Sequence, residues 1–65
     1  MTDEDRAIIR DLYRTACHGA GAAPRWQARD RLERTLDEAG LDMARVFERL
    51  NLDLGAYFAS RPISR

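Results

Sequence analysis

Residues 36–58 read LDEAGLDMARVFERLNLDLGAYF, and how this stretch is parsed decides the fold. It holds most of the large apolar residues and one repeat: LDMARVF at 41–47 returns as LDLGAYF at 52–58. In each copy an aspartate, Asp42 or Asp53, stands where a helix N-cap belongs. The leucine before it is placed to staple to the fourth helical residue, Val46 in the first copy and Tyr57 in the second. Two structures accommodate the repeat. An eleven-residue period is close to three helical turns. One helix over 42–60 therefore keeps Leu54, Tyr57 and Phe58 on the face of Met43 and Phe47. The alternative breaks the chain at Asn51-Leu52. The break is preferred, because a single helix turns Leu52 to the far side. It also leaves Gly55 mid-helix, about 1 kcal/mol worse than alanine. Short helices over 42–50 and 53–60 follow. Arg61-Pro62 stops the second, and residues 63–65 form a frayed tail.

Upstream, Thr2 and Asp3 are capping candidates, and Asp3, Glu4 and Asp5 suit the positive end of a helix dipole. Ile8, Ile9, Leu12, Tyr13, Ala16 and Cys17 cover one half of a helix over 3–18, which ends at Gly19 and Gly21. After a small-residue linker, Pro24 can stand at the first position of the next helix, which runs over about 25–39. Its apolar stripe is narrow: Ala28, Leu32, Leu36 and Ala39. Arg29–Glu33, Asp30–Arg34 and Arg34–Glu38 stand four apart, so solvated ion pairs are expected around three sides of it. Gly40 is placed to end the helix. Trp26 falls outside the stripe, on the face of Asp30, Glu33 and Asp37. It is either a lid folded over the core or an exposed anchor of the kind enriched in binding hot spots. The expected fold is all-α: residues 1–65 as a single small bundle of three or four short helices.

Sixty-five residues make one domain, small enough that a second chain is a natural source of extra stability. One cysteine makes no internal disulfide, and with one histidine it makes no structural zinc site. No metal or cofactor is expected. The eleven basic residues, all arginine, balance eleven acidic ones, so net charge offers no footprint for nucleic acid or membrane. No apolar run reaches membrane-span length, and MTDEDR is unlike a basic signal-peptide start. A cytoplasmic location is expected. Cys17-His18 is the one pair that looks like a nucleophile and base, but neighbours on a helix diverge by about 100°. An enzyme is not expected.

Residues 35–51, TLDEAGLDMARVFERLN, resemble a DNA-binding helix-turn-helix. Ala39-Gly40-Leu41 matches the turn, and Val46 and Leu50-Asn51 match the following helix of repressors with AGVSxxTVSRVLN signatures. The likeness departs at Leu36, where those repressors have alanine, and at Arg49, where they have a core residue. It implies DNA binding through residues 28–51, with Arg45 and Arg49 as contacts. Residues 9–38 are similar to the two-helix core of small bacterial anti-sigma factors, which implies binding to a larger protein.

The leading expectation is a non-enzymatic regulatory or adaptor protein, or an inhibitor of a larger complex, acting by helix-mediated contact with a protein partner or as a homodimer. Trp26, Tyr13 and Tyr57 are the expected aromatic anchors, with Arg10 and Arg14 as charged rim contacts. The alternative is a helix-turn-helix regulator.

Overall fold

A computed structural model describes residues 1–63. Within them the chain is all-helical: α1 Asp3–His18, α2 Ala22–Glu38, α3 Met43–Arg49 and α4 Leu54–Ala59. The tail expected at 63–65 is thus described only at the exposed Ile63; positions 64 and 65 lie outside the described residues.

α1 begins with a complete capping box. The Asp5 N–H donates to Thr2 Oγ1 at 3.1 Å, and the Thr2 N–H donates to the Asp5 carboxylate at 3.2 Å. It ends at Gly19, whose N–H donates to the Thr15 carbonyl at 2.8 Å. A Cβ at Gly19 would stand 2.5 Å from that carbonyl oxygen, so only glycine turns this corner without displacement.

α2 starts at Ala22, three residues before the expected position. Gly21, at φ 89°, takes the N-cap place, a backbone state that costs glycine little. Pro24 becomes the third helical residue, where an N–H has no partner inside the helix to lose.

The break at Asn51 is present, and the one-helix alternative is excluded: Asn51 is left-handed, at φ 57°. The eleven-residue repeat turns out to be two identical helix endings. After α2, the Gly40 N–H donates to Asp37 O at 3.0 Å and the Leu41 N–H to Leu36 O at 2.9 Å. After α3, the Asn51 N–H donates to Glu48 O at 3.2 Å and the Leu52 N–H to Phe47 O at 2.8 Å. Both are Schellman motifs with Gly40 or Asn51 left-handed, followed by leucine and then an N-cap aspartate. The copies differ in detail. Asp53 accepts from the Ala56 N–H at 3.0 Å, whereas Asp42 makes no side-chain cap bond. Leu41, expected to staple onto Val46, stays 41% exposed because it serves as the residue after the left-handed turn. Asn51→Gly is expected to hold or raise stability. Asn51→Val is expected to lower it by about 1–2 kcal/mol, because a β-branched side chain is strained at positive φ. Urea midpoints of the two variants check this; equal midpoints would remove the reason for the break.

α1 and α2 form a hairpin, with α3 and α4 laid against it. The core gathers Ile9, Ala16 and Cys17 of α1, Ala28, Leu32 and Leu36 of α2, Val46, Phe47 and Leu50 from α3 and its cap, and Tyr57 of α4. No helix among the described residues is long and apolar enough to cross a membrane.

Candidate functional site

Tyr57 organises the polar chemistry of the molecule. It is fully buried, so the surface-anchor role expected for it does not hold. A six-residue helix has one face to offer the core, and on α4 that face is Tyr57. Its ring meets Phe47 edge-on at 5.3 Å, and Tyr13 in a near-parallel arrangement at 6.4 Å. Its hydroxyl donates to Glu33 Oε2 at 2.7 Å. Burial, then this bond to the carboxylate, push the phenol well above its ordinary range and keep it protonated as a donor.

Arg29 is the surprise of α2. It is 2% exposed, with its guanidinium carbon 4.0 Å from the centre of the Tyr57 ring and Nη1 donating to the Tyr57 carbonyl at 2.7 Å. Arg29 and Glu33 were expected as a solvated ion pair; instead each turns toward Tyr57 from the same side of α2. The narrow stripe of α2 explains why. Of its four residues only Ala28, Leu32 and Leu36 are buried, so the flank beside the stripe completes the contact with α4 through an arginine stem and plane.

Arg25, one turn earlier, joins two helix ends. Its Nε donates to the Ala16 carbonyl of α1 at 3.2 Å, and Nη2 donates to the Ser60 carbonyl after α4. Arg25 and Arg29 thus put positive groups on carbonyls at the ends of α1 and α4, where helices leave acceptors without partners. Among the described residues no buried side-chain nitrogen or oxygen lacks a hydrogen bond.

The remaining candidates divide. Trp26 is half-buried, between the two alternatives: the Arg61 guanidinium lies 5.1 Å from its ring centre and that of Arg29 5.9 Å. Tyr13 is also half-buried. Its hydroxyl accepts from the Asp53 N–H at 3.3 Å and donates to Asp53 O at 3.4 Å, pinning the start of α4. Burial raises the pKa of this phenol too, against the opposing effect of the backbone bond. Arg10 and Arg14 are exposed on α1. Arg45 and Arg49 are exposed on α3, in one depression with Asp42 and Glu48. Cys17 is buried while His18 is exposed, so the adjacent pair faces different surroundings. No group of three or more His, Cys, Asp or Glu among the described residues is arranged to hold a metal ion.

Phe58 was not singled out from the sequence. In the repeat it corresponds to buried Phe47, yet it is 58% exposed, with its ring 5.6 Å from that of Tyr57. The available signal was the length of the helix. Adjacent aromatics diverge by about 100°, and so short an element turns only one of them inward. No family model matches the chain, and neither a curated protein nor a solved structure does.

Proposed function

We propose that this protein is a non-enzymatic regulatory or adaptor module that binds another protein through the outer face of α4, with Phe58 as the anchor and half-buried Trp26 of α2 as a second aromatic contact. The exposure of Phe58 carries the reading. Its ring rests on Tyr57, which Arg29 and Glu33 hold in place, so the anchor is fixed before a partner arrives. A preset aromatic loses little entropy on binding, which is where hot-spot affinity comes from. Arg61, stacked over Trp26, supplies a cationic edge to this surface. Arg10 and Arg14, also exposed, are rim candidates on α1.

The test is capture of partners with the intact chain and with Phe58→Ala, followed by titration of whatever is captured. A hot-spot loss of about 2 kcal/mol weakens affinity roughly 30-fold. A partner that binds both proteins equally would remove α4 from the interface.

A second reading rests on Arg45 and Arg49, both exposed on the helix that follows the Gly40 turn. It makes residues 28–51 a DNA-binding helix-turn-helix. Asp42 and Glu48 share their surface, so the local field attracts phosphate weakly. Steeply salt-dependent DNA binding that Arg45→Ala weakens would favour this reading over the adaptor.

A further inference from the structure

The start of α2 and the end of α4 border an open hollow of about 460 Å³. Ala22 and Arg25 line it from α2, and Ala59, Ser60 and Arg61 line it from α4 and the residues that follow. Its charge sets it apart. Among the described residues that line it, two are arginines and none is a carboxylate. The other hollows differ: the depression on α3 sets Asp42 and Glu48 beside Arg45 and Arg49, and the groove beside Ile8 contains Asp5. The chain has as many acidic residues as arginines, eleven of each, yet it sets no described carboxylate in this wall. Both arginines are also held in place. Arg25 is half-buried and engages the carbonyls of Ala16 and Ser60 through Nε and Nη2. Arg61 is exposed, but its guanidinium lies over the Trp26 ring, 5.1 Å from the centre. Stacking uses the face of a guanidinium, whereas its N–H groups lie in the plane and can meet an acceptor at the edge. Two preset guanidinium groups cost a ligand little ordering entropy.

From this arrangement we infer that the hollow is a binding site for a phosphoryl group, a tetrahedral dianion. Two guanidinium groups match its two negative charges, and each planar fork suits paired N–H···O bonds to phosphate oxygens. A carboxylate, with a single charge, satisfies one arginine and leaves the other unmatched. The hollow is open to solvent, so it can take the group free in solution or at the end of a partner's side chain. Phe58 does not line the hollow, and the site stands whether or not α4 binds a protein.

Titration of the intact chain with inorganic phosphate at about pH 8, where the dianion dominates, tests the proposal. Ionic strength is held constant so that screening does not change. Trp26, the single tryptophan, reports through its fluorescence because Arg61 lies over it. Backbone amide shifts of Ala22 and Ser60 locate the ligand. Half-saturation is expected near about 1 mM, with acetate about tenfold weaker. Arg61→Gln, at an exposed position that spares the fold, weakens phosphate binding about tenfold, read from the amide shifts. Ala59→Glu, also exposed, sets a carboxylate in the wall and abolishes binding. A blocked phosphoserine tripeptide is the second probe. Tighter binding than inorganic phosphate assigns the group to a protein partner, and equal or weaker binding assigns it to a free phosphate. No saturable shift up to about 10 mM, acetate binding as tightly as phosphate, shifts confined to amides away from the hollow, or full affinity in both variants would overturn the proposal.

Discussion

Tyr57→Ala is expected to leave no cooperative thermal melt at neutral pH. Removing a buried aromatic from a core costs about 3–5 kcal/mol, through lost transfer energy and the cavity left behind. A 65-residue domain has only roughly 3–10 kcal/mol in total. Tyr57 also does more than fill space. Phe47, Tyr13 and Phe58 all rest on its ring, as does the Arg29 plane. Without that ring Arg29 becomes a buried cation with no face to lie against, so the loss falls at the upper end of the range. Tyr57→Phe separates the hydroxyl from the ring. It keeps the aromatic contacts, forfeits the bond to Glu33, and is expected to cost about 1 kcal/mol and remain folded. Far-ultraviolet circular dichroism during heating reads both. A sharp transition in Tyr57→Ala near that of the parent would mean that the core does not depend on this ring.

Arg29→Ala is the second large effect, expected to cost about 3 kcal/mol. Two contributions combine: a charged hydrogen bond to the Tyr57 carbonyl and a desolvated stack on the Tyr57 ring, each about 2 kcal/mol, less what relaxation and water entry recover. Arg29→Lys is not a rescue. An ammonium can reach a carbonyl, but it has no plane to lay on the ring and is harder to dehydrate. Arg29→Met keeps part of the stem's packing and should fall between the parent and Arg29→Ala. Urea denaturation ranks the three. A surface arginine in a solvated pair would cost less than about 0.5 kcal/mol on removal, and that result would contradict the buried position of Arg29.

The α3–α4 break, the small all-helical fold and the core role of most apolar positions were legible because they rest on local chemistry. Gly40 and Asn51 are residues that tolerate the left-handed state, leucine follows each, and aspartate follows the leucine. The start of α2 was not legible. Pro24 is compatible with several early helical positions, and only the backbone at Gly21 selects among them. Arg29 was misjudged for a different reason. Its sequence neighbours offer Glu33 four residues away, a good solvent pair on an isolated helix, and nothing local says that α4 covers that flank. Tyr57 was expected as an anchor and Phe58 was not singled out, because the repeat equates Phe58 with Phe47. α3 has seven residues and a buried cap, Leu50, with which to enclose both Val46 and Phe47; α4 has six and encloses only Tyr57. The candidate site was therefore only half visible. Trp26, Arg10 and Arg14 remain surface or near-surface residues, while Tyr57 and Tyr13 hold α4 in place and Phe58 takes the outward position.

Division of labour between two adjacent aromatics, Tyr57 inside and Phe58 outside, is the claim on which the fold and the proposed function both depend. Urea denaturation of Phe58→Ala tests it most directly. The midpoint should lie near that of the parent, with a loss under about 1 kcal/mol, because the ring is more than half exposed. A loss of about 3 kcal/mol or more, the size expected for a buried phenylalanine, would place Phe58 in the core and contradict its role as the free anchor.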